Sequence, residues 1–169
     1  DHEQVRKSSL WERTEVKKLQ VAALDKTSPL YEDTDSFDPS VSRDAVEDTA
    51  ENLKLAIKLR DKFFPLRDTA YKSLLDRAKI GGSALPKLSR EKLADVINAC
   101  LALHKDSALL LIRDEKVSAA HSGDSRDYSV LEIDQLLDGL QSKMDERFPG
   151  NQFSAGYVDQ AITLSLIHI

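Results

Sequence analysis

Four side chains that can transfer protons, attack an electrophile or bind a metal lie close together in the second half of the chain. His121, Ser122, Asp124 and Asp127 fall within seven residues. Histidine, serine and aspartate form a catalytic relay when the three groups converge within hydrogen-bond distance. The cluster therefore raises the hypothesis of a small hydrolase or nuclease centred on His121 and Asp124.

A structural loop is the alternative interpretation of the same cluster. Neighbours at a strand end usually point apart, and the sequence has no Gly-x-Ser-x-Gly elbow. One histidine and two aspartates make an incomplete ligand set without the spaced histidines of a catalytic zinc site. Gly123 permits a turn, and Asp124, Ser125 and Asp127 suit a loop that hydrogen-bonds its own backbone. We therefore expect a structural role, with no metal and no cofactor.

Charge is strongly segregated along the chain. Residues 25–51 carry nine acidic and two basic side chains, whereas residues 52–92 carry eleven basic and four acidic ones. The net charge of the whole chain is −5. The aromatic residues Phe63, Phe64 and Tyr71 lie among the cations of the basic segment.

Single-stranded nucleic acid is the ligand class that the basic segment favours, because cations neutralise phosphates and aromatic rings stack on bases. The candidate binding residues are Lys54, Lys58, Arg67, Tyr71, Lys72, Arg77, Lys79 and Lys87. In the alternative interpretation, the cations form a solvated helix surface and the rings belong to the core. The acidic segment could also fold back onto the basic one and neutralise it.

Hydrophobic spacing predicts a helical N-terminal half that would hold these cations. Residues 1–24 have apolar positions at irregular helical spacing, and residues 25–43 form a predicted flexible acidic linker. Three further helices are predicted at 44–64, 66–78 and 89–101, with Ser42 or Asp44 and Ser89 as N-caps and the glycines at 81 and 82 as a stop signal.

The second half is predicted to contain a small antiparallel sheet. Residues 108–112 and 116–122 indicate a hairpin, although the intervening turn lacks an Asn-Gly or Asp-Gly signature. A helix ending at "PGN" and one or two further strands follow. The predicted class is α+β, with residues 1–43 as helix and linker and residues 44–169 as the domain.

Composition excludes several classes of protein. A length of 169 residues with 41% hydrophobic and 31% charged content is typical of a folded domain, and no apolar run reaches the roughly 18 residues of a membrane span. A single cysteine, Cys100, excludes an internal disulfide, is predicted to lie in the core and favours the cytoplasm. Because the chain starts at Asp1 and stops within "ITLSLIHI", we expect a fragment, with "SLIHI" resembling adapter sequence.

A family resemblance rests on the order of these features. "PLRDTAYKSLLDRAKIGGSALPKLSREKLADVINACL" and "ALLLIRDEKVSAAHSGDSRDYSVLEIDQLLDGLQ" resemble the uncharacterised phage/plasmid-like proteins, a domain-of-unknown-function family of bacterial mobile elements. The resemblance covers about residues 60–160 and implies a setting on a prophage, plasmid or integrated element. No reaction is established for that family, whose members are typically longer than this chain.

The leading hypothesis is a non-enzymatic binding protein in the DNA metabolism of a mobile element, with single-stranded DNA as the first ligand to test. Self-association and binding of other mobile-element proteins are further expectations, and a membrane partner is not expected. The alternatives are the hydrolase or nuclease described above and a protein-interaction module that uses the predicted N-terminal helix around Trp11.

Overall fold

The computed structural model describes residues 9–126, 133–158 and 162–168, the final two strands by their backbone. The chain divides into two compact units. The larger is Leu10–Tyr128, and the C-terminal helix and hairpin belong to the other. None of the helices in the described part is long and apolar enough to cross a membrane.

The chain opens with strands, so the prediction of a helical N-terminal half is wrong. Strand β1 (Ser9–Glu15), a 3-10 turn (Val16–Lys18) and strand β2 (Gln20–Ala23) occupy the segment for which a helix was predicted. Val21 is buried while Gln20 is exposed, which is the alternation of a strand with one covered face. From residue 9 to residue 24, the irregular apolar spacing reflects this alternation together with the buried turn.

The segment predicted to be a flexible acidic linker contains ordered structure. Helix α1 (Pro29–Glu32) and a 3-10 turn (Thr34–Ser36) lie within it. Tyr31 and Phe37 are buried in a small apolar cluster with residues of the following helix, α2 (Arg43–Glu51). These two aromatic residues fix a segment whose acidic composition suggested a solvated chain.

Helix α2 ends well before Phe64, the end that the spacing predicted. Its N-cap is Ser42, whose Oγ accepts a hydrogen bond from Ala45 N. Strands β3 (Leu55–Leu59) and β4 (Lys62–Pro65) occupy the remainder of the predicted helix. The turn between them has φ of 47° at Arg60 and 65° at Asp61, so both residues adopt the left-handed conformation of a two-residue hairpin turn. Neither residue is glycine, which is why the sequence gives no hairpin signal there.

Two three-stranded sheets form the body of the larger unit. The first is antiparallel in the order β2–β3–β4. The second has the order β1–β5–β6, in which β5 (Ser107–Arg113) and β6 (Lys116–Ser122) form the antiparallel hairpin that the sequence predicted. Asp114 and Glu115 close this hairpin with φ of 49° and 66°, again without a glycine.

Each sheet packs against the helix that is next to the other sheet in sequence. Helix α3 (Asp68–Ala78) follows the first sheet in sequence but packs on β6 of the second, and α4 (Arg90–Leu101) precedes β5 but packs on β2 of the first. Leu74, Ile97 and Leu110 are fully buried in the resulting common core. Ser89 caps α4 as predicted, whereas α3 ends at Lys79, with φ of 57°, rather than at a glycine.

The smaller unit contains helix α5 (Ile133–Arg147) and an antiparallel hairpin of β7 (Asn151–Val158) and β8 (Ile162–His168). These elements confirm the predicted C-terminal helix, and the one or two further strands that the sequence predicted are two. The prediction of one small antiparallel sheet is wrong, because β7 and β8 form a two-stranded sheet of their own, whereas β5 and β6 pair with β1. The chain is therefore α+β, but its strands and helices alternate from the start.

Candidate nucleic-acid interface

His121 lies on β6, opposite Leu109 of β5. The centroid of its ring is 6.1 Å from that of Trp11 on β1. Partial burial lowers the pKa of His121, and the nearby Arg77 guanidinium lowers it further. In a catalytic relay a carboxylate orients the imidazole, so the hypothesis centred on His121 and Asp124 depends on where the Asp124 carboxylate lies.

Asp124 is engaged by its own loop. Its carboxylate accepts hydrogen bonds from Arg126 N at 2.9 Å and from Arg126 Nη2 at 2.6 Å, and Arg126 lowers the pKa of this carboxyl. Ser122 Oγ accepts from Asp124 N at 3.2 Å. These contacts are those of a loop that bonds its own backbone, as the structural interpretation predicted.

The metal interpretation gains no support from the same loop. Asp127 lies outside the described residues. In the part of the chain that is described, no group of three or more His, Cys, Asp or Glu side chains is arranged to hold a metal ion.

The structure distributes the predicted nucleic-acid-binding residues over several elements. Lys54 lies between α2 and β3, Lys58 near the end of β3, Arg67 just before α3, Tyr71, Lys72 and Arg77 on α3, Lys79 at the C-terminal end of α3, and Lys87 in a later 3-10 turn. Lys54 lies outside strand β3 and has a φ of 63°, whereas Lys58 lies within the strand. The segment is contiguous in sequence, and its cations are distributed over a loop, a strand, a helix and a 3-10 turn.

Three of these residues are partly buried rather than fully exposed to solvent. Arg67 Nε, Tyr71 OH and Arg77 Nε are all inaccessible and have no hydrogen-bond partner in the structure, which includes no water. Burial raises the pKa of Tyr71, against a weaker opposing effect of Arg90. These three side chains therefore contribute part of their surface to packing.

The exposed stripe of α3 has no net charge. Lys72 and Lys79 share the exposed side of the helix with Asp68 and Asp76. Residues four apart lie next to each other on a helix, so each lysine has an aspartate as a neighbour. Such a stripe is a mixed solvated surface, which is the alternative that the sequence left open.

A basic cleft lies instead where β1 and the following turn meet the end of the first sheet. It has a volume of about 590 Å³. Its walls contain five cations and two carboxylates, together with three uncharged residues. The lining residues are Glu12, Arg13, Thr14, Lys17, Lys18, Gln20, Lys58, Leu59, Arg60 and Asp61. We call this the β1–β3 cleft.

The first sheet places the cleft cations from two directions. Lys58 is paired across the sheet with Gln20 on one side and with Phe63 on the other. Its ammonium lies 5.7 Å from the centroid of the Phe63 ring, within the range of a cation–π contact. Arg60 extends from the two-residue turn that follows.

Lysines 17 and 18 enter the cleft from the 3-10 turn between β1 and β2. The buried Val16 anchors this turn, and its N–H donates to Asp106 O at 3.0 Å. Arg13 is less available than the other cations because its guanidinium donates to the carbonyl of Gly123. Four cations therefore remain for an anionic ligand, namely Lys17, Lys18, Lys58 and Arg60.

Sequence reasoning found one of these four residues, Lys58. It missed Lys17 and Lys18 because residues 1–24 were predicted to be a helix and lie outside the basic segment, residues 52–92. The adjacent pair "KK" between two short apolar segments was the available signal. Arg60 was counted in the basic block but was not chosen as a candidate.

The acidic segment contacts the basic one, since Lys62 Nζ donates to Asp35 O at 2.8 Å, but it forms no direct ion pair with it in the described part of the chain. Among the described residues, the ion pairs of 25–51 join Glu51 to Lys26, Glu47 to Arg43 and Asp48 to Lys116. None of them reaches a cation of residues 52–92. The fold-back hypothesis therefore fails at the level of direct ion pairs.

The chain matches no protein-family model, no curated protein and no solved structure.

Proposed function

We propose that this protein binds single-stranded nucleic acid through the β1–β3 cleft and catalyses no reaction. The observation that carries the proposal is the convergence of Lys17, Lys18, Lys58 and Arg60 on one concave surface of about 590 Å³. Phosphates are bound by such clusters because lysine and arginine release the counterions condensed on the nucleic acid.

The size of the cleft favours a single strand over a duplex. Its volume falls within the range of about 300–1,000 Å³ that is usual for small-molecule pockets. A flexible strand can insert a few phosphates into such a space, whereas the rigid duplex needs a broad groove-shaped surface.

The lining of the cleft favours recognition of the phosphate backbone rather than of the bases. None of the ten lining residues is aromatic. The nearest ring, Phe63, is half-buried, and its centroid lies 6.4 Å from that of Phe37. We therefore propose binding with little sequence preference, as in single-strand binders that follow the backbone.

The biological setting of the proposal comes from the resemblance in residues 60–160. Single-strand binding suits the DNA metabolism of a phage, plasmid or integrated element in a bacterial cytoplasm. Other mobile-element proteins and further copies of the chain remain proposed partners.

The experiment is a titration of a fluorescent oligo-dT with the protein at several salt concentrations. Four phosphate contacts to a single strand predict a slope of about −3 in a plot of log K against log salt. Lys58→Gln should weaken binding about tenfold and reduce the magnitude of the slope by about 0.7. The matched control is Lys72→Gln, because Lys72 lies on the mixed stripe of α3.

Each result is decisive. Salt-sensitive binding that falls in the Lys58 variant and not in the Lys72 variant supports the proposal. A loss in the Lys72 variant alone would move the site to α3, and equal losses in both variants would contradict a site confined to the cleft. No salt-sensitive binding by the wild-type protein would end the proposal.

A further inference from the structure

Two carboxylates already occupy the cations of the β1–β3 cleft. Glu12 forms an ion pair with Arg60, with 2.9 Å between the Glu12 carboxylate oxygen and Arg60 Nε. Glu15 pairs with Lys18 at 2.9 Å and with Lys17 at 3.2 Å. Three of the four cations are therefore already paired with acidic side chains of one strand, β1, and two of the three share Glu15.

Lys58 differs from the other three. Within the described residues it has no carboxylate partner, and its ammonium faces the Phe63 ring instead. A ligand can contact Lys58 without displacing anything, but it reaches the other three cations only by replacing Glu12 and Glu15.

We propose, on the basis of the function proposed above, that in the free protein the carboxylates of Glu12 and Glu15 pair with the cations that bind two phosphates of the ligand in the complex. This competition restricts the cleft to ligands in which several phosphates are linked in a chain. A ligand with one phosphate exchanges one anion for another and gains little. A chain that carries several phosphates loses its translational freedom once and then displaces both carboxylates. Glu12 and Glu15 are thus specificity-determining residues.

The electrostatics of Glu15 agree with this role. Hydrogen bonds from Lys18 and Lys17 lower the pKa of Glu15, so its carboxylate remains charged at neutral pH and competes with the ligand. The side chain of Glu15 is 43% exposed, so it can move away from Lys17 and Lys18 when a phosphate replaces it.

A purely structural role for these pairs predicts a different outcome. If Glu12 only clamps β1 to the turn at Arg60, its removal would loosen the cleft and weaken binding. If it competes with the ligand, its removal would strengthen binding.

The experiment compares Glu12→Gln and Glu15→Gln with the wild-type protein in the oligo-dT titration. Each variant should bind about threefold more tightly, since an exposed ion pair contributes less than about fivefold to an equilibrium. The salt slope should stay at about −3 in both variants, because the same four cations contact phosphates in the complex. Glu47→Gln is the matched control, because Glu47 pairs with Arg43 outside the cleft.

A competition experiment tests the requirement for linked phosphates. Inorganic polyphosphate should displace oligo-dT from the wild-type protein at phosphate-group concentrations at which orthophosphate does not, and this difference should shrink in Glu12→Gln. Unchanged or weaker binding in both glutamine variants, with normal wild-type binding, would overturn this inference and leave the proposed function standing. Failure of the wild-type protein to bind would overturn both. Because Glu15 is more exposed than Glu12, its variant provides the test if Glu12→Gln fails to fold.

Discussion

The side chain of Asn98 on α4 pairs with the backbone of Val21 on β2 as a neighbouring strand would. Asn98 Oδ1 accepts from Val21 N at 2.6 Å, and Asn98 Nδ2 donates to Val21 O at 2.8 Å. β2 is the edge strand of the first sheet, so these backbone groups point away from β3. Helix α4 therefore satisfies this edge at one residue.

Helix α3 does the same for the second sheet. Thr69 Oγ1 donates to Ser118 O at 2.7 Å, and Ser73 Oγ accepts from Ala120 N at 2.9 Å. Both acceptor and donor belong to β6, the edge strand opposite β1. Edge strands with unpaired backbone groups invite pairing with other chains, and these side chains block that pairing.

Replacement of Asn98 should destabilise the fold. Asn98→Ala removes both hydrogen bonds and leaves Val21 N–H and C=O in a largely buried position without partners. We expect a loss of about 1–3 kcal/mol in the free energy of unfolding, measured by urea denaturation. Asp95→Ala, at an exposed position of the same helix, should change it by less than about 0.5 kcal/mol. An equally small change in Asn98→Ala would refute the structural role of this contact.

A side chain at position 123 should also be costly. A Cβ built on Gly123 would lie 2.6 Å from the carbonyl carbon of Ser107 and 2.7 Å from its Cβ. Gly123 N also donates to Ser107 O at 2.8 Å, so the two backbones cannot separate without breaking this bond. Gly123→Ala should lower the free energy of unfolding by about 1–3 kcal/mol. Gly81→Ala serves as the control, because no atom lies within 4 Å of its Cβ position, and similar losses in both variants would contradict the account.

His121 should make the fold sensitive to mild acid. Burial, and secondarily Arg77, hold its folded-state pKa below the ordinary value of 6.5. The unfolded chain therefore takes up the proton first, so the contribution of neutral His121 is complete above that ordinary value and is lost as the pH falls through the folded-state pKa. The melting temperature should fall between about pH 7.5 and about pH 5.5, and the fall should be smaller in His121→Gln. An identical fall in both proteins would show that His121 is not the titrating group.

The sequence predicted the elements that carry clear local signals. Ser42 and Ser89 mark helix starts because their hydroxyls satisfy free N–H groups, and the β5–β6 hairpin was visible from two apolar runs around a charged turn. It failed at 55–65, where Leu55, Ile57 and Phe64 fit a helical stripe and a strand alternation equally well. Only the left-handed turn at Arg60 and Asp61 distinguishes the two strands from a continuous helix. Neither residue is a glycine, so the sequence does not mark the turn.

The candidate site could not be assembled from the sequence, because its cations come from separate segments. Lys17 and Lys58 are far apart in the chain and become neighbours only when β2 pairs with β3. Conversely, Lys72 and Lys79 belong to the basic segment, yet the turn of the helix sets them beside Asp68 and Asp76.

The location of the ligand on the protein tests the central claim most directly. We would titrate isotope-labelled protein with oligo-dT and follow the backbone amide signals by NMR. The account predicts that the largest changes occur at Lys17, Lys18, Lys58 and Arg60, and that the amides of Lys72, Lys79 and Lys87 remain nearly unchanged. The largest changes at those three lysines, with a silent β1–β3 cleft, would contradict it.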